Sequence, residues 1–337
     1  MLTVDLHTHI LPESWPDLAS RYGYGGWAAL EHHAPCQARL VVDGKVFREV
    51  TDNCWSPGVR IAECDRHGVA LQVLSTVPIM FSYWARPADA HDLSRLLNDH
   101  IAGVVARHPS RFVGLGTVPL QDADLAVREL ERCVRELGFP GIQIGTHVGE
   151  KNLDDASIFP LFQAAEALGA AVFVHPWDML GRERMRRYWL PWLVGMPTES
   201  CLAICAMIFG GVLERLPRLR VAFAHGGGSF PGTFGRIEHG FHARPDLVAI
   251  DNPLPPSAYL RRIYVDGLVH HPDALRQLLR LFGADRVALG SDYPFPLGEP
   301  VPGTLIRSLP ELTFDQQVRL LGGTALEFLN RRREEFV

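Results

Sequence analysis

Near its start the chain reads Asp5-Leu6-His7-Thr8-His9, with a pair of histidines separated by one residue. Side chains alternate across a strand, so both imidazoles of such a pair project to the same side and can share one ion. An isolated pair is more often an ordinary polar strand end. Here three more segments end in residues of the same chemistry. Val172-Phe-Val-His175 and Val221-Ala-Phe-Ala-His225 end in histidine, and Leu289-Gly-Ser-Asp292 ends in aspartate. Four imidazoles and a carboxylate are hard to explain as core packing. Nitrogen and carboxylate donors without thiolate suit zinc, with iron, cobalt or manganese possible by ligand type. His7, His9, His175 and Asp292 are the expected ligands of one Zn2+ per subunit. Zinc with an open position lowers the pKa of its water toward about 7 and supplies hydroxide near neutrality. His225 is the expected acid/base, since imidazole titrates near the working pH. Asp292 is expected to serve catalysis as well as binding.

Residues so far apart in sequence meet only if a fold gathers their strand ends around one rim. Short aliphatic runs lie at 3–9, 70–76, 112–118, 141–146, 170–175, 220–225, 263–266 and 286–291. Most are aliphatic or β-branched nearly throughout, as expected where both faces of a parallel strand are buried. Helical patterns follow at 57–67, 88–108, 123–137, 156–168, 199–215, 229–242, 272–282 and 314–331. Strands each followed by a helix predict a (β/α)8 TIM barrel, whose sites lie at the carboxyl ends of its strands. An open doubly wound sheet usually has fewer strands and a Gly-rich first turn, which is absent. The length, 337 residues, suits a single domain, 1–337. Two connections exceed ordinary loops. Residues 11–56 form an insertion in which Val41-Val-Asp-Gly-Lys-Val-Phe47 reads as a small hairpin turning at Asp43-Gly44. Residues 176–198 form a roof segment over the barrel mouth.

With 47% hydrophobic residues the chain can bury a large core. Its net charge is −5, with both signs scattered, and no basic run suggests nucleic acid. No signal-peptide pattern opens the chain, and no apolar run is expected to reach the roughly 18–20 residues of a membrane helix. A soluble cytoplasmic protein without membrane or nucleic-acid partners is expected. The six cysteines show no CxxC pairing and read as reduced packing residues, Cys201 and Cys205 sharing a helix face.

HxH on strand one, histidine on strands five and six and aspartate on strand eight resemble the amidohydrolase superfamily. Its dinuclear members carry a carboxylated lysine or a glutamate at the end of strand four. That strand reads Gly141-Ile-Gln-Ile-Gly-Thr146, with neither, so one metal is the better count. His147, just beyond, reads as a loop histidine. Longer strings sharpen the resemblance: Val174-His-Pro-Trp-Asp-Met179, Trp189-Leu-Pro-Trp192, Ala224-His-Gly-Gly-Gly-Ser-Phe230 and Gly290-Ser-Asp-Tyr-Pro-Phe-Pro-Leu-Gly-Glu299, with 23–27 and 77–83. Together they resemble the non-hydrolytic decarboxylases of tryptophan catabolism by the kynurenine route, over nearly the whole chain.

The resemblance implies a lyase that needs no organic cofactor. Hydroxide adds beside the departing carboxylate of a conjugated dicarboxylate, the neighbouring carbon is protonated, and carbon dioxide leaves. It also implies that Arg48 binds a substrate carboxylate, and that the active form is a homodimer in which Arg236 reaches the neighbour's site. Helix geometry agrees with the last point. Ser229 can cap a helix with Pro231 in its first turn, and the helix then carries Arg236 about 10 Å from its own rim. Trp177, Trp192 and Phe295 are expected to wall the pocket around a planar ligand. Aromatic-acid decarboxylases of the resorcylate type, and metal-dependent hydrolases of a cyclic amide, ester or lactone, share this barrel and stand as alternatives.

Overall fold

The computed structural model of the protein describes residues 2–336. Strand β1 (Val4–Ile10) is buried along its whole length. It leads into the insertion, where β2 (Ala28–Ala34), β3 (Gln37–Val42) and β4 (Lys45–Thr51) form an antiparallel sheet. The β3–β4 hairpin turns at Asp43-Gly44, both left-handed at φ 47° and 72°, as a two-residue type I′ turn requires. β2 has no signature in the sequence, because Glu31, His32 and His33 are all exposed and no alternation marks it.

The barrel continues with β5 (Leu71–Thr76), β6 (Phe112–Gly114) and β7 (Gly141–Ile144), then a small hairpin, β8 (His147–Val148) and β9 (Lys151–Asn152). It finishes with β10 (Ala171–Val174), β11 (Arg220–Phe223), β12 (Ile263–Asp266) and β13 (Val287–Ala288). β1, β5 and β6 pair in parallel, as do β7, β10, β11, β12 and β13. Hydrogen bonds close both gaps. Gly116 N–H donates to the Gly141 carbonyl at 3.1 Å, and Gln143 N–H to the Gly116 carbonyl at 2.7 Å. On the other side Leu6 N–H donates to the Leu289 carbonyl and Asp292 N–H to the His7 carbonyl, both at 2.9 Å. The fold is a (β/α)8 barrel. β6 and β13 are shorter than the runs at 112–118 and 286–291, and beyond them pairing continues only through single contacts such as those of Gly116 and Leu289.

Val4, Leu6, Phe173, Ala222, Tyr264 and Ala288 fill the barrel interior, packed against Ala325, Phe328 and Leu329 near the C terminus. Alternate residues, such as Val172, Phe223 and Ile263, face outward into the larger core beneath the helices. Those helices, among them Pro57–His67, Pro87–Arg107, Ala123–Arg135, Phe230–Ala243 and Pro272–Leu281, lie close to the expected ranges. One expectation is corrected. The helix placed at 199–215 begins earlier, with a wide turn Pro191–Gly195 running straight into Met196–Phe209. Pro191 sits in the first turn, where a missing N–H costs little, and Pro197 directly follows the wide turn. The combined Pro191–Phe209 spans 19 residues at mean hydropathy 1.6, so one helix does have the length and composition of a membrane span. Its Ile204 and Met207 pack into the core beneath the barrel strands, as a soluble barrel helix also would.

Candidate metal centre

Leu6 and His7 are adjacent, yet both face the interior. Asp5 pairs with Gln72 and Thr8 with Leu74, so the register of β1 against β5 shifts between them. Leu6 belongs to the interior core, and simple alternation would send His7 outward. The irregularity turns it back, and its ring lies 5.1 Å from that of Phe173. Such bulges re-aim side chains beside sites.

His7, His9 and His175 are no more than 3% exposed, and each is anchored through Nδ1. His7 Nδ1 donates to Asp266 Oδ2 at 2.7 Å, His9 Nδ1 to the Thr76 carbonyl at 3.0 Å, and His175 Nδ1 to the Pro176 carbonyl at 2.9 Å. Those acceptors fix the tautomer and leave each Nε2 a free lone pair. The Nε2 atoms of His7 and His9 face each other at 3.2 Å. Asp292 Oδ1 lies 3.0 Å from His9 Nε2 and 3.4 Å from His7 Nε2. His175 Nε2 is buried with no hydrogen-bond partner. Bonds of about 2.0–2.1 Å in a tetrahedral site put two ligand nitrogens about 3.3 Å apart, close to the His7–His9 spacing. These residues fit a metal ion. Near the end of β7, Gln143 accepts from Ser75 Oγ and donates to the Thr76 carbonyl at 3.1 Å, so both ends of its amide are bonded to β5.

The ligand atoms of His7, His175, His225 and Asp292 approach within 4.8 Å of one another. His225, read from the sequence as acid/base outside the ligand set, thus lies within reach of the cluster, while His9, an expected ligand, is not among these four but meets His7 at 3.2 Å and Asp292 at 3.0 Å. The Nε2 atom of His225 is 3.8 Å from Asp292 Oδ2. His225 and Asp292 both adopt left-handed backbone, at φ 56° and 57°, which costs a non-glycine residue about 1–3 kcal/mol. Asp266 holds the first of these turns. Its carboxylate accepts from His225 N–H at 2.9 Å and Gly226 N–H at 2.8 Å, besides His7. Below the rim, fully buried Arg60 donates to the His9 carbonyl at 2.7 Å and to Thr8 Oγ1 at 3.1 Å, tying down the strand that carries the histidine pair. Neither Asp266 nor Arg60 is singled out by the sequence. Asp266 does end its strand as Asp292 does, which is the signal that could have found it.

The electrostatics favour a cation. Burial opposes charge on His7, but hydrogen bonds to Asp266 and Asp292 outweigh it and push the imidazole up to about 10. Burial holds His9 and His175 below the ordinary histidine value. Burial would raise Asp292, yet contacts with His225, His7 and His9 hold it well below the usual carboxylate range. Two buried carboxylates thus stabilise positive charge here, proton or metal alike.

A cavity of about 350 Å³ opens over the cluster, lined by His9, His175, His225 and Asp292 and by Arg48, Trp177, Trp192 and Phe295. Phe47 and Trp189 join that wall unannounced by the sequence. The Arg48 guanidinium stacks 4.5 Å from the Phe295 ring centroid and 6.0 Å from that of Trp192. Burial lowers its pKa, opposed by Asp292, and among the described residues no acidic side chain forms an ion pair with it. Arg236 lies exposed on Phe230–Ala243, outside this lining. Ser229 precedes that helix without capping it. Its backbone is already helical and its hydroxyl donates to the Pro197 carbonyl at 3.3 Å.

Residues 4–331 match the amidohydrolase family profile. A 2-amino-3-carboxymuconate-6-semialdehyde decarboxylase of Dictyostelium discoideum is 61% identical, over 97% of this chain and 91% of that protein. One of Caenorhabditis elegans is 36% identical, over 97% and 94%. A dihydroxybenzoic acid decarboxylase of Polaromonas sp. JS666, solved with bound manganese and the inhibitor 2-nitroresorcinol, superposes with a TM-score of 0.76 at 22% identity, covering 99% of this chain and 98% of that one. The chain belongs to the amidohydrolase family, in the branch that its decarboxylase relatives occupy.

Proposed function

We propose that the protein is a carboxy-lyase converting 2-amino-3-carboxymuconate 6-semialdehyde to 2-aminomuconate 6-semialdehyde and carbon dioxide, on the kynurenine route of tryptophan breakdown. The observation that carries this reading is one cavity holding both a metal-type donor cluster and Arg48, a half-buried guanidinium that forms no ion pair with an acidic side chain among the described residues. A hydrolase of a neutral lactone or cyclic amide has no use for that charge, whereas a carboxylate substrate neutralises it. The names borne by the 61% and 36% identical relatives support the substrate.

His7, His9, His175 and Asp292 would hold one zinc ion, which when bound supplies Lewis acidity and lowers the pKa of water. Arg48 grips a substrate carboxylate through two parallel N–H···O bonds. Trp177, Trp192 and Phe295 flank the conjugated plane and exclude water. His225 Nε2 delivers a proton to the carbon that bears the departing carboxylate. The carbon–carbon bond then breaks, carbon dioxide leaves, and the proton keeps the vacated position, so no oxidant or reductant is required. The assay follows loss of the semialdehyde's absorbance with zinc-loaded and chelator-treated protein. Metal-dependent loss with release of carbon dioxide is expected. Hydrolysis of a cyclic amide or lactone by protein inert toward the semialdehyde would replace this reading.

The active form in this reading is a cytoplasmic homodimer. Leu193, Val194 and Leu202 on one helix, with Leu247, Ile250 and Leu254 beyond the next, expose large apolar side chains. An apolar surface of this kind suits burial against a second copy, and it would let Arg236 reach the neighbouring cavity. Mixing inactive Arg236→Ala with inactive His225→Ala should restore activity on subunit exchange. A heterodimer that stays inactive would refute the crossing.

A further inference from the structure

His147 lies outside the metal centre, yet it is too well coordinated for a loop side chain. Its ring meets oxygen at both nitrogens. Nδ1 is 2.8 Å from the Gly149 carbonyl, while Nε2 is 2.9 Å from the Asp178 carbonyl and 3.1 Å from that of Trp177. Carbonyl oxygens only accept, so a ring N–H donates to at least one side, and the ring is wedged between the Gly149 carbonyl and those of Trp177 and Asp178.

An acidic side chain lies beside the ring. Glu199 Oε2 lies 3.7 Å from His147 Nε2, and Glu199 is only 3% exposed, on Met196–Phe209. Its other oxygen accepts from the Leu180 N–H at 2.6 Å. Burial raises the Glu199 carboxyl, an effect that the Leu180 N–H and His147 oppose. Asp178 on the turn and Lys151 on β9 are the remaining charged groups around the ring. Both ends of one short turn are thereby held: His147 takes the carbonyls of Trp177 and Asp178, and Glu199 takes the N–H of Leu180. The turn needs holding, because Asp178 is left-handed at φ 58°. It opens the roof two residues after His175, and Trp177 at its start forms part of the cavity wall.

We propose that His147 and Glu199 act as a positioning pair that sets the Trp177 wall, and so the binding of a planar carboxylated substrate, while taking no part in the chemical step. The inference deepens the proposed function and rests on it for the identity of the substrate. It is tested with His147→Gln and Glu199→Gln in the zinc-loaded protein. His147→Gln should raise KM for the semialdehyde by about tenfold, the size of one lost buried hydrogen bond, and Glu199→Gln, which keeps an oxygen toward Leu180 but removes the carboxylate charge beside His147, should raise it by less. Turnover at saturation and zinc content should change less than twofold. The double variant should be no worse than the poorer single one, because either loss opens the same staple. Isophthalate, a planar dicarboxylate used as a binding probe, gives a second readout, and its calorimetric affinity should fall in parallel. This arm reads the pair even if the semialdehyde proves not to be the substrate. Zinc lost together with turnover would overturn the proposal, showing that the pair supports His175 instead. Unchanged KM and unchanged isophthalate affinity in both single variants would overturn it as well. If His147→Gln does not fold, Glu199→Gln, which keeps an oxygen toward Leu180, decides alone.

Discussion

Asp266→Asn is the most informative single change at the metal centre, because it alters charge and donor pattern at constant shape. Four N–H groups end on this carboxylate: His7 Nδ1 at 2.7 Å, His225 N at 2.9 Å, Gly226 N at 2.8 Å and Leu268 N at 3.2 Å. His7 and His225 share Oδ2, and Gly226 and Leu268 share Oδ1. If the amide keeps its oxygen toward Gly226 and Leu268, its NH2 confronts two donors. His7 can then accept at Nδ1 only by moving its proton to Nε2, the atom that faces the metal. An altered partner behind a metal-binding histidine costs about 10–100-fold in affinity, or roughly 1.4–2.8 kcal/mol. The His225 N–H loses a bond to a charged acceptor worth about 1.5–3 kcal/mol. That loss falls on a backbone already strained by about 1–3 kcal/mol, so the His225 ring should drift. Zinc affinity, measured by competition with a chelator, should weaken about 10–100-fold, and turnover at saturating zinc should fall by about a further tenfold as the proton donor is misplaced. Wild-type zinc affinity, within twofold, would refute the role given to Asp266. Asp266→Ala is a poorer probe, since it orphans all four N–H groups and its losses would mix with misfolding.

Three further outcomes follow from other residues. Arg48→Lys should lower kcat/KM nearly as far as Arg48→Ala, each by about 2–5 kcal/mol in transition-state stabilisation; a fully active lysine variant in steady-state kinetics would contradict bidentate binding. Gly228→Ala should yield little folded protein, because its φ is +62° and an added Cβ would sit 2.2 Å from the Pro197 carbonyl oxygen; a wild-type thermal midpoint would contradict this. Burial, reinforced by Arg107, holds His100 down at about 4 from 6.5. Between those values the unfolded chain binds a proton that the folded one does not, so stability falls as pH drops from 6.5 toward 4, by up to about 3 kcal/mol. Urea denaturation at pH 7 and 4.5 should show that loss, reduced in His100→Gln.

What was legible in the sequence is what local pattern encodes. The barrel strands read as unbroken aliphatic runs because both their faces are buried, and the residues that break each run at its carboxyl end, His175 after Val172-Phe-Val and Asp292 after Leu289-Gly-Ser, are the ones the barrel brings together. Even here, alternation alone is an incomplete guide to His7. Alternation relates His7 to His9, but only the register shift between Asp5 and Thr8 lets His7 share the interior with Leu6. Arg48 was carried by resemblance rather than by spacing. Its side chain reaches the cavity only because the β2–β3–β4 sheet lies beside the barrel mouth, a non-local arrangement that no pattern in 28–51 announces.

The groups the sequence left unassigned share a physical trait: each works through a backbone partner. Asp266 holds the N–H groups of His225 and Gly226, Arg60 holds the carbonyl of His9, and His147 and Glu199 hold the turn from Trp177 to Leu180. A ligand histidine declares itself by residue type at a strand end. A group that fixes another residue's backbone leaves no such mark, because any acidic or basic side chain of suitable reach could serve and its partner is chosen by the fold. The strained positions are where such groups are needed. His225, Asp178 and Asp292 all carry positive φ without being glycine, and the first two are held by side chains from elsewhere in the barrel, Asp266 at the end of β12 and His147 on β8. Two of these unfavourable turns at the rim are thus held by side chains from other strands. Removing either side chain should disturb binding or catalysis more than it disturbs the barrel beneath.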